Sequence, residues 1–253
     1  GLTFAPEAGS WRMRQVINKL ISEEDLYAAV ESAFSQGWRR VKLYFLTGLP
    51  TETDEDTLGI LEMARRCVEV GRLHQHNPSV TVSVGGFVPK PFTPFQWFGQ
   101  NTERELRRKV GLLRDELKRR PKAYRGVQLK WHDARASVVE GLMSRGDRRL
   151  GAVIEDVWRS GGVFQEWSEH FNIGLWEDAL DRHGLSLEDF VYRHRTEDEV
   201  LPWDHLSAGL HKDFLWQDWR DALEAVGLED CRWTPCYDCG ACTGYGIEHV
   251  VAS

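Results

Sequence analysis

The sequence predicts an α/β fold in which a partial (β/α) barrel, residues 1–133, is followed by a helical extension, residues 134–229, and a Cys-rich tail, residues 230–253. Short aliphatic and β-branched segments alternate with amphipathic helical patterns in the first region, and they are missing from the rest of the chain. Strict alternation of this kind predicts a parallel sheet with right-handed crossovers. Three or four such units supply only half of an eight-stranded barrel.

Four segments have the composition of buried strands: residues 2–5, 41–46, 80–84 and 127–131. The helical patterns between them repeat every 3.6 residues. A capping-box pattern from Ser22 to Asp25 begins the first helix, and Gly37 ends it. The apolar stripes of the next two helices are Leu58, Leu61, Ala64 and Val68, and Leu106, Val110, Leu113 and Leu117 before Pro121.

From Ser137 onward only helical patterns remain, and they predict an extension packed on the sheet region. Its apolar stripes are Val138, Leu142 and Met143, and then Leu150, Val153, Ile154 and Val157. Six tryptophans are expected to supply its bulk: Trp158, Trp167, Trp176, Trp203, Trp216 and Trp219.

Two consecutive predicted strands end in residues suited to hold a ligand. The second runs into a Gly-x-Pro-Thr-Glu turn, where Gly48 would let a planar ligand approach bare backbone and Pro50 would stiffen the exit. Thr51 or Thr53 can cap the helix that follows. One unit earlier, the first strand ends in Glu7 and a glycine. Because parallel α/β folds bind ligands at the carboxyl ends of their strands, we expect a binding site there.

The chain begins at Gly1, and its first residues already have the pattern of a buried strand. We therefore expect it to be the later part of a longer protein, whose N-terminal half would pair with residues 2–5. Without that half the strand edge would be exposed.

Charge and hydropathy favour a cytoplasmic protein that neither enters a membrane nor binds nucleic acid as a whole. No apolar stretch is long enough to span a bilayer, no secretory signal is present, and the net charge is -7. Residues 104–125 contain ten Lys and Arg, against four acids in residues 103–116. We interpret this run as a solvated helix face, with contact to RNA as the alternative.

Three groups of residues carry a resemblance to a known family. They are Pro6-Glu7-Ala8-Gly9-Ser10 with Lys19, then Gly48-Leu49-Pro50-Thr51-Glu52, and then Phe87-Val88-Pro89-Lys90-Pro91-Phe92-Thr93-Pro94. In this order they resemble the second half of a radical S-adenosylmethionine barrel. Within that family the chain is similar to an uncharacterised bacterial group that often carries a cobalamin-binding domain ahead of the barrel. The resemblance extends to Pro202-Trp203-Asp204-His205 and the terminal cysteines.

The resemblance implies that the strand tips bind S-adenosylmethionine. Glu7 would accept hydrogen bonds from the ribose hydroxyls or the amino group of the methionine part. The carboxylate of that part would be met by Ser10, Arg14 and Lys19. The adenine would be flanked by Gly48 and Leu49, and by an apolar wall and backbone groups at Val88 and Pro89. On the residues alone, Glu7 as a helix-dipole partner, Lys19 as a surface charge and Pro50 as a turn residue are the favoured interpretations.

One family motif is missing from the chain. The Cys-x3-Cys-x2-Cys loop that holds the catalytic [4Fe-4S] cluster would follow the first barrel strand, which these residues do not contain. The resemblance implies that the cluster would cleave S-adenosylmethionine to a 5′-deoxyadenosyl radical, which would abstract hydrogen from a substrate that the sequence does not reveal. We therefore expect the chain to be inactive without the missing half.

Four of the five cysteines form the pattern Cys231-x4-Cys236-x2-Cys239-x2-Cys242 among several glycines. In a reducing compartment such a cluster indicates metal rather than disulfides. Zinc held by four thiolates and an auxiliary iron-sulfur cluster both fit the spacing, and a tail of free thiols is the alternative. The spacing differs from that of the family's catalytic loop.

Three further groups of polar residues have simpler interpretations. Cys67 lies on the apolar side of its helix and is expected to be a buried thiol. His74 and His76 are expected on the surface. Trp203-Asp204-His205 is interpreted as a local cap, with a place at the mouth of the active site as the alternative.

Three hypotheses for function follow from these observations. The first is the S-adenosylmethionine-binding portion of a radical enzyme. The second is a non-catalytic RNA-binding module with a four-cysteine zinc knuckle, which the net charge disfavours. The third is a truncated and inactive fragment.

Overall fold

A computed structural model of the protein describes residues 1–248. The chain forms two compact units. Unit 1 contains Gly1–Phe87, Arg104–His132 and Arg220–Glu229. Unit 2 contains Val88–Glu103, Asp133–Trp219 and the described residues from Asp230 onward. Unit 1 therefore takes ten residues that the sequence assigns to the helical extension, and unit 2 takes a segment from inside the predicted barrel region.

Unit 1 is built on a four-stranded sheet in the order β1-β2-β3-β4, with every neighbouring pair parallel. The strands are β1 Leu2–Glu7, β2 Arg40–Thr47, β3 Ser79–Gly86 and β4 Val127–Trp131. The predicted α/β class and parallel sheet are confirmed, and three of the four strands extend one or two residues beyond their predicted ends.

The helices of the sheet region are α1 Trp11–Val16, α2 Glu23–Ser35, α3 Asp54–Arg72 and α4 Glu103–Arg119. A capping box formed by Ser22 and Asp25 begins α2, as predicted. A second capping box, from Thr53 to Asp56, begins α3 and identifies Thr53 as the cap. The chain leaves α2 through Gly37 at φ 91°, a left-handed conformation that glycine adopts without strain.

One face of the sheet carries the core of unit 1. Val41, Leu43 and Phe45 of β2 and Val80, Val82 and Val84 of β3 are each at most 1% exposed. They pack in one cluster with apolar residues of α2 and α3 and with Leu113 of α4. At about 1.5 to 3 kcal/mol for each buried large apolar side chain, this face stabilises the unit.

The first strand is less buried than its sequence suggests. Leu2 is 37% exposed, and only Pro6 of β1 is fully buried. Within the described residues β1 lies at the edge of the sheet and pairs only with β2, which agrees with the exposed strand edge expected for these residues alone, although residues 2–5 have the composition of a buried strand.

Unit 2 is helical in its described part, and no strand occurs in residues 133–248. Its helices are α5 Ala134–Arg145, α6 Leu150–Arg159, α7 Ile173–Arg182 and the short α9 Ala241–Gly244, with a 3₁₀ turn at Pro94–Trp97 and a π turn at Glu188–Tyr192. Helix α8, Lys212–Leu223, contributes residues to both units. The core cluster of unit 2 includes Leu142, Val153, Leu180 and Phe190.

The tryptophans divide between core and surface. Trp176, Trp203 and Trp219 are buried, but Trp158 and Trp167 are 62% and 61% exposed, so the expectation that all six supply bulk is wrong for these two. Leu150, Val153 and Val157 define the buried face of α6. Trp158 follows Val157 directly, and the next residue of a helix lies about 100° further around its axis.

Arg145 connects several loops of unit 2 from a fully buried position. Its guanidinium donates hydrogen bonds to the carbonyl oxygens of Gln96, Phe98, Phe190 and Arg193. Burial, reinforced by Arg195 and Arg193, lowers the pKa of Arg145 to about 9. One side chain thereby satisfies carbonyl oxygens of the 3₁₀ turn, of the π turn and of the residues that follow each of them.

None of the described helices combines the length and the apolar composition that crossing a bilayer requires.

Candidate functional site

The tip of β1 holds the first predicted ligand residue in a strained conformation. Glu7 has φ 67°, which costs a non-glycine residue about 1 to 2 kcal/mol. Its carboxylate lies 3.8 Å from the ammonium of Lys19, and both side chains are partly exposed. The structure therefore brings together two of the residues predicted to meet the methionine part of S-adenosylmethionine.

Ser10 begins α1 as its N-cap. Its hydroxyl accepts from the Met13 N–H (3.2 Å) and donates to Asp56 Oδ1 (2.6 Å). The hydroxyl that was predicted to meet a ligand carboxylate is thus already engaged within the protein.

Arg14 is 1% exposed and is also held by internal partners. Its terminal nitrogens donate to the Ala8 carbonyl (3.2 Å) and to Glu23 (3.3 Å), while its Nε has no partner among the described residues. With Trp11 and Glu23 it lines a cavity of about 240 Å³. Arg14 therefore faces Glu23 of α2, and its guanidinium is held inside the protein.

The tip of β2 is closed by a buried ion pair that sequence reasoning missed. The carboxylate of Glu52 accepts from the Gly48 N–H (2.6 Å) and lies 3.1 Å from the ammonium of Lys109, and each side chain is 3% exposed. Burial raises the pKa of Glu52, while Lys109 and the Gly48 N–H oppose that rise. Gly48 itself has φ 83°, and Gly48, Leu49 and Pro50 are all buried.

Asp56 joins the two strand tips. Besides Ser10, its carboxylate accepts from the Thr53 N–H (2.9 Å) and from the Thr53 hydroxyl (2.8 Å). Arg12 pairs with the same carboxylate and donates to the Thr51 carbonyl (2.8 Å). Although burial opposes the change, the bonds from Ser10, Thr53 and Arg12 lower the pKa of Asp56. The Thr-x-x-Asp spacing is typical of a capping box, and it was the sequence signal from which a role for Asp56 could have been predicted.

The third predicted tip lies in unit 2. Val88 is 8% exposed, and Pro89 is buried as well. The neighbouring Lys90 is exposed and donates to Glu140 (2.5 Å) and to Ser144 (2.9 Å).

The four tail cysteines differ in exposure. Cys236 is exposed, and Cys231, Cys239 and Cys242 are partly buried. Within residues 1–248, no group of three or more His, Cys, Asp or Glu side chains is arranged to hold a metal ion. The metal site at Cys231, Cys236, Cys239 and Cys242 stays a prediction. Gly240, at φ 87°, and Gly246, at φ 64°, provide the tight turns expected there.

The simpler interpretations of Cys67 and of the two histidines are confirmed. Cys67 is fully buried, and burial raises the pKa of its thiol to about 12. His74 and His76 are exposed. Asp204 accepts from the Leu201 N–H (2.9 Å) within a turn, and the helix that follows begins only at Lys212, so the predicted cap at a helix start is not found there.

The basic run on α4 is mostly a solvated face, as predicted. Arg108 pairs with Asp54 and Glu105, and Lys118 lies 4.0 Å from Asp115. Lys109 departs from the prediction, because it points into unit 1 to meet Glu52.

Comparison with known proteins gives one relative and no assigned activity. The chain is 31% identical over 154 residues to the uncharacterized protein MJ0966 of Methanocaldococcus jannaschii, an alignment that covers 61% of this chain and 32% of that protein. The matched part thus spans about a third of the relative's length. No family model matches the chain. No solved structure matches it.

Proposed function

We propose that this chain is the S-adenosylmethionine-binding portion of a radical iron-sulfur enzyme, with its parallel sheet forming the later strands of a (β/α) barrel. The observation that carries the proposal is the Glu7 and Lys19 pair at the tip of β1. An amino acid presents an ammonium and a carboxylate close together, and a carboxylate beside an ammonium on the protein is the complementary arrangement.

The remaining residues of the two tips support a role in orienting such a ligand. Glu7 would hold the ligand's amino group, and Lys19 would hold its carboxylate. Gly48 leaves the β2 tip without a Cβ, while Glu52 and Lys109 fix the backbone that an adenine would contact. The strained backbone of Glu7 is of the kind that concentrates at ligand sites.

The iron-sulfur chemistry lies outside these residues. When bound, a [4Fe-4S] cluster supplies the electron for cleaving S-adenosylmethionine, and a cobalamin domain in an upstream segment is part of the same proposal. The sequence contains no Cys-x3-Cys-x2-Cys motif, and in the part of the chain that the structure describes no three of the tail cysteines are arranged to hold a metal ion. The residues present therefore fit the organic cofactor and do not supply ligands for the catalytic cluster.

The experiment uses the natural full-length protein, purified without oxygen, and measures the Kd of S-adenosylmethionine by calorimetry. Glu7→Gln and Lys19→Met should each weaken binding about 10- to 100-fold through the loss of charge-assisted hydrogen bonds, or about 1.4 to 2.8 kcal/mol. Glu31→Gln, which changes a surface carboxylate that pairs with His74, should bind as the parent does. Equal affinity in all four proteins would remove the β1 tip from the site.

The reading frame upstream of Gly1 gives a second and independent test. The proposal requires a Cys-x3-Cys-x2-Cys motif there or in a partner protein. A complete natural protein that lacks the motif and also fails to bind S-adenosylmethionine would overturn it.

A further inference from the structure

The sheet of unit 1 has a second face that differs chemically from its core face. Because side chains alternate along a strand, every second residue of each strand points away from the apolar cluster. On this face, which we call the polar face, stand Thr3 of β1, Arg40, Lys42, Tyr44 and Leu46 of β2, Ser79, Thr81, Ser83 and Gly85 of β3, and Gln128 and Lys130 of β4.

This composition is unusual for a parallel sheet. Parallel sheets normally have apolar residues on both faces, and the interior of an ordinary (β/α) barrel is filled by branched apolar side chains. Leu46 is the single large aliphatic residue among these eleven positions. A face with this composition cannot form a dry core unless its polar groups find partners.

The polar face is also cationic in a protein whose net charge is -7. Its positions include two lysines and an arginine, and none of the eleven is Asp or Glu. Among residues 1–248, neither Lys42 nor Lys130 takes part in an ion pair. Lys42 instead donates to the Tyr44 hydroxyl (2.6 Å), with its ammonium 4.2 Å from the centre of the Tyr44 ring.

The strand register brings these groups together. Tyr44 stands opposite Ser83, and Ser83 stands opposite Lys130. Neighbouring strands are about 4.8 Å apart, so Tyr44 and Lys130 lie roughly 10 Å apart with the Ser83 hydroxyl between them. Lys42 stands two residues before Tyr44, opposite Thr81, and its ammonium reaches the Tyr44 hydroxyl, so the ammonium groups of Lys42 and Lys130 can approach one ligand from opposite sides of Ser83.

We propose that the polar face binds a phosphoryl group of a small molecule, held by Lys42 and Lys130 with hydroxyl donors from Tyr44 and Ser83. Two ammonium groups and two hydroxyls supply hydrogen-bond donors and positive charge to an anion with several oxygens. Phosphate oxygens can accept all of these bonds at once. The polar face would be the interior of the completed barrel, so identifying the phosphoryl compound as the substrate rests on the proposed function, whereas the anion binding itself does not.

The test measures binding of inorganic pyrophosphate to the chain by calorimetry at fixed ionic strength. The parent should bind it, and Lys42→Met and Lys130→Met should each raise Kd at least tenfold. Lys118→Met removes a lysine whose side chain is 71% exposed on α4, and it should bind as the parent does. Equal Kd values for the parent, both polar-face variants and this control would overturn the proposal, as would no binding by the parent.

Two further arms keep the result interpretable. Lys42→Arg retains the charge and should retain binding within a few-fold, which separates the loss of a cation from misfolding of the Met variants. Inorganic phosphate and glycerol phosphate, compared under the same conditions, distinguish a site for the free anion from one for its esters. Citrate binding more tightly than pyrophosphate would reject the phosphoryl assignment. None of these measurements requires S-adenosylmethionine, so the failure of one proposal is distinguishable from the failure of the other.

Discussion

The backbones of Gly9 and Gly59 are in direct contact at the place where the β1 tip meets α3. A methyl group added to Gly59 would lie 2.5 Å from the Gly9 carbonyl oxygen, and one added to Gly9 would lie 2.4 Å from the Ile60 nitrogen. Only glycine at both positions permits this approach. The contact sets the distance between the chain leaving β1 and the first turns of α3, which carry Asp56.

Gly59→Ala should lower the free energy of unfolding by about 1 to 3 kcal/mol, because the added carbon meets backbone that cannot rotate away. Gly111→Ala is the matched control, since it lies in α4 with open space around its Cβ position. It should raise the free energy by about 0.5 to 1 kcal/mol through helix propensity. Urea denaturation measures both changes, and a neutral Gly59→Ala would show that the contact relaxes without cost.

The buried pair of Glu52 and Lys109 should be sensitive to the loss of one partner. Lys109→Met leaves a carboxylate buried without its cation, which costs about 3 to 5 kcal/mol of unfolding free energy. The double variant Lys109→Met with Glu52→Gln should lose less unfolding free energy than the sum of the losses in the two single variants. Arg65→Met, which breaks pairs with Glu62 and Glu69 on the surface of α3, should cost at most about 1 kcal/mol. If the losses of the two single variants add up to that of the double variant, Glu52 and Lys109 do not stabilise each other.

Asp56→Asn should destabilise the protein by about 1 to 3 kcal/mol at neutral pH, because the carboxylate serves a capping box and two further donors. The folded protein holds the pKa of this group below its ordinary value of 3.8. Its contribution is therefore complete above that value and is lost as the pH falls through the folded-state pKa. Denaturation measured from pH 2 to 7 should show that parent and variant differ less in free energy of unfolding at acid pH than at neutral pH.

Asp25→Asn provides the comparison for Asp56, because Asp25 has the same capping position on α2 and makes no ion pair with an arginine within residues 1–248. Asp25→Asn should lower the free energy of unfolding by less than Asp56→Asn does. An effect as large as that of Asp56→Asn would mean that the cap alone accounts for both, and that the connection between the strand tips adds nothing.

Cys239→Ala tests the tail. If Cys231, Cys236, Cys239 and Cys242 share one metal, anaerobically purified protein should carry about one zinc ion or one iron-sulfur cluster per chain, and the variant should lose most of it. Cys67→Ala, which removes a buried thiol, should leave the metal content unchanged. Elemental analysis measures the zinc or iron bound per chain, and visible absorption detects an iron-sulfur cluster. Equal metal in parent and Cys239→Ala, or none in either, would reject the shared site.

The sequence was a good guide wherever the determining contacts are local. The strands, the capping box at Ser22 and the buried Cys67 follow from periodicity and from residues within one turn of each other. Trp158 was misplaced because aromatic bulk was assigned to the core without regard to helical phase, and Trp167 because it lies in the connection between α6 and α7. The edge position of β1 was expected, but the composition of the strand did not show that Leu2 would be exposed.

The candidate site was predictable only in part. Glu7 and Lys19 were named and lie together, since both flank the same strand tip. The partner of Glu52 was missed because Lys109 lies within a run of charges that resembles a solvated helix face. Asp56 was missed because a capping box already explains an Asp at that position, and its bonds to Ser10 and Arg12 depend on how α1 and α3 pack.

The ion pair between Lys109 and Glu52 means that the Gly48 to Thr53 turn is not a self-contained module. Lys109 Nζ approaches the Glu52 carbonyl oxygen (3.4 Å) from 57 residues further along the chain. A chimera that received the turn without α4 would place a carboxylate in an apolar setting with no cation to neutralise it. Transplanting this strand tip into another α/β scaffold therefore requires two separate stretches of sequence to be moved together.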